Sequence, residues 1–130
     1  MSESEKYFAS SAVGVRVGVE SALVKIARPD FANELARWMQ QHPGNLGILI
    51  CGSGIGMSMA ANRHNHIRAA LCYNGLAAQL ARRHNDANVL CMGARMMGPD
   101  MAKFCLKQFL ETAFEGGRHI ARIEKMQSPQ

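Results

Sequence analysis

A glycine-rich turn lies where a short apolar run ends and an amphipathic stretch begins, at residues 51–56 (CGSGIG). Its glycines allow the backbone to approach a ligand closely and to point successive N–H groups into one concavity, with the positive end of a helix dipole behind them. Such a cradle suits a phosphate or an enediolate oxygen. A glycine-rich turn without a ligand is the alternative. A Walker loop is excluded because no Gly-Lys-Ser/Thr follows, and the glycines are spaced one residue too tightly for a dinucleotide fingerprint.

Two side chains in this turn could take part in chemistry. Cys51 is expected at the carboxyl end of a buried strand and beside a helix N-terminus, a position where a thiolate can act as a base or a nucleophile. Ser53 offers a hydroxyl that can pass a proton between neighbouring oxygens. The alternatives are a buried structural cysteine and a serine that caps the helix.

A second polar group, His84-Asn85-Asp86, lies where a helix gives way to the next strand and faces the edge of the predicted sheet. A histidine exchanges protons near neutral pH, and an asparagine both donates and accepts hydrogen bonds. A helix C-cap with Asn-Asp turn chemistry is the alternative for this group.

Three arginines are candidates for phosphate contacts. Arg118 and Arg122 are one helical turn apart, and Arg95 follows a predicted strand. Ordinary surface charges are the alternative. His64 and His66 lie in a loop-like stretch without a nearby carboxylate or third ligand, so no metal site is predicted there.

Short apolar runs alternate with amphipathic stretches from residue 46 onward. The predicted strands are Leu46–Cys51, 67–72 and 87–91, and the predicted helices are 31–41 (with Asp30 as N-cap), 55–62, 75–84, 100–114 and 118–126. This alternation is typical of βαβ units, so the expected fold class is α/β, a three-layer parallel sheet with helices on both faces.

The first 28 residues follow a different pattern. Four valines between Val13 and Val19 alternate with Gly14, Arg16 and Gly18, which predicts a half-exposed strand at a sheet edge. Another strand could open at Tyr7-Phe8-Ala9. No repeat, low-complexity tract or linker divides the chain, so residues 1–130 are predicted to form a single domain.

Composition excludes several classes of protein. With 48% hydrophobic and 19% charged residues, the chain is not intrinsically disordered, and its apolar stretches are shorter than a membrane span. The polar N-terminus lacks a signal peptide, so a cytoplasmic protein with four reduced cysteines is expected.

The net charge of +5 indicates an anionic partner. Nucleic acid is not expected, because there is no helix-turn-helix signature and no stacking platform among the eight aromatic residues.

Four segments together resemble the type B ribose-5-phosphate isomerase family, which also includes galactose-6-phosphate isomerase subunits. They are ICGSGIGMSMAANR, IRAALC, ARRHNDANVLCMGAR and GGRHIARI, and the resemblance runs from Pro29 to about Lys125. It implies a flavodoxin-like or Rossmann-like fold, a homodimer or homotetramer with sites shared between subunits, and no metal or organic cofactor. The implied reaction interconverts ribose 5-phosphate and ribulose 5-phosphate through an enediol(ate). The alternatives are another aldose phosphate, such as allose or galactose 6-phosphate, and a non-catalytic sugar-phosphate-binding subunit.

The resemblance also implies a role for each candidate residue. Cys51 matches the base that moves a proton between C1 and C2, and His84 matches a proton donor. The other matched positions are the anion-binding loop (Gly52, Ser53, Gly54, Ile55 and Gly56), a substrate contact (Asn85) and the phosphate-binding arginines (Arg95, Arg118 and Arg122). A base, a hydroxyl that relays protons and donors for developing negative charge are what an aldose–ketose isomerisation requires.

The N-terminus departs from the family, whose first strand ends in Ser-Asp-His-Ala-Gly. Here Ser10-Ser11 is followed by Ala12-Val13-Gly14, and Ala27-Arg28 stands where the family has Asp-Tyr. The stretch between these points is shorter than in the family by about one αβ unit. Two interpretations follow: a divergent or non-catalytic member of the family, or a sequence from which residues are omitted.

Overall fold

The structure, a computed structural model, describes residues 7–8, 14–16, 22–26 and 29–127. Its strands form one sheet in the order β1-β2-β3-β4-β6-β5. The strands are β1 (Tyr7–Phe8), β2 (Gly14–Arg16), β3 (Ala22–Ile26), β4 (Leu46–Cys51), β5 (Ala69–Leu71) and β6 (Val89–Gly93), and the helices are α1 (Pro29–Gln41), α2 (Ile55–Ala61), α3 (Gly75–Asn85), α4 (Pro99–Glu111) and α5 (His119–Gln127).

Four adjacent strands, β3, β4, β6 and β5, run parallel. The sequence predicts β4, β5 and β6 as parallel strands, whereas it did not predict β3. The central pair is buried on both faces, which explains why Leu46–Cys51 and Val89–Gly93 are nearly continuous apolar runs. The register pairs Cys51 with Gly93, so both strands end at the same edge of the sheet. We call this the carboxyl edge, and the opposite side, where the parallel strands begin, the amino edge.

Helices cover the parallel part of the sheet on both faces. Alternate residues of β4 and β6 point to opposite sides. Leu49 and Cys91 pack into the core formed with α1 and α2, whereas Ile48 and Leu90 pack into the core formed with α3 and α4. The predicted three-layer architecture is therefore confirmed. None of the helices among the described residues is long and apolar enough to cross a membrane.

Several predicted element bounds were wrong by a few residues. Helix α1 begins at Pro29, so Asp30 lies in its first turn and is not its N-cap. Helix α4 ends at Glu111, before the predicted residue 114, because Thr112 adopts an extended backbone with φ −95° and ψ 128°. Helix α3 extends one residue beyond the prediction to Asn85, and α5 covers residues 119–127, one position later than predicted.

Two predicted strands also differ from those observed. The predicted strand 67–72 is reduced to Ala69–Leu71. At its start, the Asn62 side chain accepts the Ala69 N–H at 2.8 Å and donates to the Ala69 carbonyl at 3.0 Å. The strand predicted at 87–91 begins only at Val89, because residues 87–88 complete the turn after α3.

The N-terminal predictions are confirmed in part. Strand β1 covers Tyr7–Phe8, and β2 covers Gly14–Arg16 within the alternating valine stretch. The expectation of an edge position for β2 was wrong, because β1 pairs with it antiparallel on the outer side. The remainder of the valine stretch, Ala9, Ser10-Ser11 and Ala27-Arg28 lie outside the described residues.

Phe109 on α4 has no solvent exposure and packs in the core between the sheet and α3–α4. We expect Phe109→Ala to lower the free energy of unfolding by about 3–5 kcal/mol, because it removes buried apolar surface and leaves a cavity. Phe104 on the same helix is 49% exposed, so Phe104→Ala should cost less than about 1 kcal/mol. Urea unfolding monitored by circular dichroism measures both variants, and equal losses would contradict this assignment of the core.

Candidate active site

The glycine-rich turn connects β4 to α2 at the carboxyl edge, and two glycines determine its path. Gly54 has φ +82°, a backbone conformation that favours glycine, and a Cβ there would lie 2.6 Å from Leu71 Cδ1. A Cβ at Gly93, at the end of β6, would lie 2.5 Å from the Ser53 carbonyl oxygen. The turn therefore rests directly on the neighbouring strand, and any larger side chain at either position would displace it.

The Cys51 thiol lies at the start of this turn. Its Sγ accepts a hydrogen bond from the Gly54 N–H at 3.0 Å, a contact that stabilises negative charge on sulfur. The Ser53 Oγ accepts the Ile55 N–H at 3.2 Å, so this serine holds the start of α2 while its hydroxyl remains beside the thiol. Among the hydrogen bonds between described residues, none is donated by the N–H of Ser53 or Gly56. These donors are available to an anion.

Arg95 belongs to the same group. Its backbone N–H donates to the Gly52 carbonyl at 2.9 Å, and the Ala94 N–H donates to the Cys51 carbonyl at 2.7 Å. The side chain of Arg95 passes over Gly52, because a Cβ there would lie 3.4 Å from Arg95 Nε. A guanidinium is thereby placed beside the thiol and the free N–H groups, and the carboxyl edge carries a positive site suited to an oxyanion or a phosphate.

Tyr73 is a further residue at this edge that sequence reasoning missed. Its hydroxyl donates to the Ser53 carbonyl at 2.7 Å, and its side chain is half-buried. The contact holds the turn from the loop after β5. Tyr73 follows the apolar run IRAALC, so its position at the carboxyl end of a predicted strand was the available signal.

His84 and Asn85 lie at the amino edge, at the C-terminus of α3. Asp86 follows in the left-handed conformation, with φ 47° and ψ 40°, and caps the helix, as the alternative interpretation of this group expected. Strand β6 has five residues and therefore spans about 13 Å. The structure thus groups Cys51, Ser53 and Arg95 at one edge and places His84 and Asn85 at the other.

Helix α5 brings the remaining arginines to the amino edge. Gly116 and Gly117, with φ +71° and +59°, turn the chain so that α5 begins at His119. His119 and Ile123 are buried on its inner face, whereas Arg118 and Arg122 are exposed on the outer face. Arg118 and Arg122 therefore lie at the same edge of the sheet as His84, whereas Arg95 lies at the opposite edge.

Two imidazoles and one carboxylate form a compact cluster between α3 and α5. The rings of His84 and His119 are stacked, with centroids 4.5 Å apart and planes inclined by 20°. One Glu115 carboxylate oxygen lies 3.9 Å from His84 Nε2, and the other lies 3.9 Å from His119 Nε2. Sequence reasoning missed Glu115 and His119. The available signal was their i,i+4 spacing beside Arg118.

The side chains of this cluster are of the types that bind metal ions. The candidate ligand atoms of His84, Glu115 and His119 lie within 4.8 Å of one another. However, an imidazole coordinates a metal in its own ring plane, and two stacked, nearly parallel rings do not direct their lone pairs to one point. In the other candidate pair, the Nε2 atom of each histidine is hydrogen-bonded within the protein. His64 Nε2 pairs with Asn33 Oδ1 at 2.8 Å, and His66 Nε2 pairs with the Ala36 carbonyl at 2.6 Å.

A cavity of about 450 Å³ opens at the amino edge beside Asn85. Its lining includes Ile67, Arg68 and Met126. Asn85 itself is exposed, so its amide is accessible from this side of the sheet.

The four cysteines differ in reactivity. Cys51 is half-buried, whereas Cys72, Cys91 and Cys105 are buried. Burial, with a smaller contribution from Cys105, raises the pKa of Cys72 to about 12, and burial raises the pKa of Cys91 and of Cys105 as well. Since the thiolate is the reactive form, these three remain unreactive thiols near neutral pH.

Comparison with known proteins gives consistent results. A family described as Ribose/Galactose Isomerase matches residues 6–126. The probable ribose-5-phosphate isomerase B of Mycoplasma pneumoniae is 49% identical over 75% of this chain, which spans 64% of that relative's length. The D-erythrulose-4-phosphate isomerase of Pectobacterium atrosepticum is 44% identical over 75% of this chain and 64% of its own. The crystal structure of a ribose 5-phosphate isomerase from Thermotoga maritima superposes with a TM-score of 0.74 at 44% identity, covering 79% of this chain and 71% of that one.

We expect iodoacetamide at pH 8 to label Cys51 at least about tenfold faster than the other cysteines, because this thiol is half-buried whereas the other three are buried. Peptide mass spectrometry of partially alkylated protein measures the four rates. Inorganic phosphate should slow the labelling of Cys51 if it occupies the adjacent N–H groups and Arg95. Cys51→Ser is the control, which should leave only slow labelling, and equal rates at all four positions would contradict the assignment.

Proposed function

The chain belongs to the ribose/galactose isomerase family, and we propose that it is an aldose–ketose isomerase that interconverts ribose 5-phosphate and ribulose 5-phosphate. The chain spans 64% of the length of the M. pneumoniae relative. The observation that carries the proposal is the accessible Cys51 thiol. It lies beside the unpaired N–H groups of the turn and the guanidinium of Arg95.

These groups fit the chemistry of an open-chain sugar phosphate. The Cys51 thiolate removes the proton on C2, and the electrons of the broken C–H bond form the C1–C2 double bond as O1 gains negative charge. The N–H groups of Ser53 and Gly56 stabilise that charge. The Ser53 hydroxyl relays a proton from O2 to O1. The thiol then returns its proton to C1, which yields the ketose and regenerates the thiolate.

The phosphate and the ring oxygen of the sugar require binding groups that lie at the amino edge. Arg118 and Arg122 present two guanidiniums one turn apart for the phosphate, and His84 is the proton donor for opening the sugar ring. Because β6 alone spans about 13 Å, a single chain does not bring these side chains to Cys51. We therefore propose that each site combines the carboxyl edge of one copy with the amino edge of a second copy.

A two-fold axis perpendicular to the strands produces this arrangement twice, which is the usual symmetry of a homodimer. The exposed apolar side chains agree with it. Ile55 and Met59, 44% and 64% exposed, flank the Cys51 turn on α2, and Ile120 and Met126, 49% and 55% exposed, lie on α5. Apolar surface beside both half-sites is suited to burial between copies. A homotetramer built from such dimers keeps the same site.

We propose a cytoplasmic location without a nucleic-acid or membrane partner. The second candidate function is isomerisation of a different aldose phosphate, which the relative named D-erythrulose-4-phosphate isomerase favours at 44% identity. The third, a non-catalytic sugar-phosphate-binding subunit, would keep the same anion site without turnover.

We expect Cys51→Ala to lower kcat by about 10³-fold or more while substrate affinity changes by only a few-fold, because the thiolate acts mainly in the transition state. Rates with ribose 5-phosphate, allose 6-phosphate and galactose 6-phosphate identify the preferred substrate through kcat/KM. A phosphorylated hydroxamate, which mimics the enediolate, should bind both wild type and Cys51→Ala in calorimetry. Tight binding of the mimic without turnover of any sugar by the wild type would support the non-catalytic subunit instead.

The shared site predicts complementation between inactive variants. Cys51→Ala and Arg122→Ala change opposite edges, so a mixed dimer has one site with both defects and one intact site. When equal amounts are unfolded and refolded together, half of the dimers are mixed, and activity should return to roughly one quarter of wild type.

The matched control combines two variants of the same edge. Cys51→Ala with Arg95→Ala leaves one defect in each site of a mixed dimer, so this pair should restore no activity. Native mass spectrometry with one isotope-labelled partner confirms mixing. Mixed dimers that restore no activity in the first pair would show that each site is built from one chain.

A further inference from the structure

We propose that Glu115 and His119 are positioning residues that hold the imidazole of His84 in the orientation in which it exchanges a proton with the sugar. The inference rests on the proposed function, in which His84 is the proton donor. It assigns roles to two residues that the sequence did not single out and that contact His84 instead of the substrate.

Stacking is the first part of the arrangement. The side chain of His84 is 38% exposed, so solvent alone would leave its ring free to rotate. His119 is only 4% exposed and lies flat against that ring, with the centroids 4.5 Å apart. A buried ring is fixed by its own packing, and the ring stacked on it therefore loses much of its rotational freedom before substrate binds.

The carboxylate is the second part. The backbone N–H of Glu115 donates to the Arg83 carbonyl at 3.0 Å, which ties this residue to the C-terminus of α3 beside His84. From there its two oxygens face the two Nε2 atoms, each at 3.9 Å. A carboxylate in this position attracts a protonated imidazole, and this attraction keeps the Nε2 atom of His84 directed toward Glu115.

The two imidazoles are not equivalent in charge. His119 Nε2 is buried and has no hydrogen-bond partner among the described residues. Burial, together with the charges of His84, Arg118 and Arg122, lowers the pKa of His119, and Glu115 opposes this shift only in part. The lowered pKa favours the neutral form of His119, whose buried ring acts as a flat support, while the half-exposed ring of His84 faces solvent.

The placement on α5 separates this role from phosphate binding. His119 lies on the inner face of the helix, whereas Arg118 and Arg122 lie on the outer face. Removing the His119 ring therefore leaves both guanidiniums exposed. A loss of positioning should appear in kcat and leave KM nearly unchanged, whereas a displaced helix would also raise KM.

Three substitutions separate stacking from charge. His119→Ala removes the support and should lower kcat about tenfold, since a misplaced donor reacts less often. His119→Phe keeps a flat ring without nitrogens and should retain at least about half of the wild-type kcat. Glu115→Gln keeps the shape without the charge and should lower kcat about three- to tenfold. In all three, KM should stay within about twofold of wild type, and Glu124→Gln, an exposed charge change on the same helix, should alter neither constant.

A spectroscopic measurement tests the contact without using activity. The ring protons of His84, assigned by their absence in His84→Gln, feel the ring current of the stacked His119. Their NMR shifts should be similar in wild type and His119→Phe and should move toward random-coil values in His119→Ala. Circular dichroism melting of each variant identifies any that fails to fold, in which case His119→Phe and Glu115→Gln still decide the question.

The outcomes distinguish the two proposals. A wild-type protein with no isomerase activity overturns the proposed function, whatever the NMR shifts show. An active wild type whose kcat is unchanged in folded His119→Ala and Glu115→Gln overturns the positioning role, and so do His84 resonances that do not respond to His119→Ala. A His119→Phe variant as impaired as His119→Ala would show that the His119 nitrogens, not its stacking, are required.

Discussion

The close contact between Gly93 and the Ser53 carbonyl is the constraint on which the carboxyl edge depends. The end of β6 packs directly against the backbone of the turn, and a Cβ added at Gly93 would lie only 2.5 Å from the Ser53 carbonyl oxygen. This contact brings the loop after β6 against the turn after β4, where Arg95 lies over Gly52 and its N–H binds the Gly52 carbonyl. The thiol, the free N–H groups and the guanidinium converge because two adjacent parallel strands end at the same height.

The polarity of the parallel sheet explains why the candidate residues form two groups. Loops that follow strands lie at the carboxyl edge, and helices that lead into strands end at the amino edge. Cys51 lies at the end of β4, whereas His84 lies at the end of the helix before β6. A single chain therefore places the two residues at opposite edges of the sheet. A site that needs both groups then requires a second copy, and the exposed apolar side chains on α2 and α5 lie where that copy would pack.

Sequence reasoning succeeded where local pattern determines the structure. The run Leu46–Cys51 became a strand with the predicted bounds, because a segment buried on both faces must be apolar throughout. The turn at residues 51–56 followed from its glycines. By contrast, the contact of Tyr73 with Ser53 and the stacking of His84 on His119 join residues 20 and 35 positions apart, and they depend on how elements pack. Propensity and spacing carry little information on such contacts.

Helix α5 directs two sets of side chains to opposite faces through its own periodicity. His119, Ile123 and Gln127 recur every four residues on the inner face, where the first two are buried and the Gln127 amide donates to the Asn65 carbonyl at 2.8 Å. Arg118 and Arg122 occupy the outer face at the same spacing. Ile123 and Gln127 hold this helix together with His119, so the position of both arginines does not depend on the stack between His119 and His84 alone. On the proposal that Arg118 and Arg122 bind the phosphate and His84 serves the sugar ring, the packing of α5 against α3 keeps these groups at a fixed distance from each other.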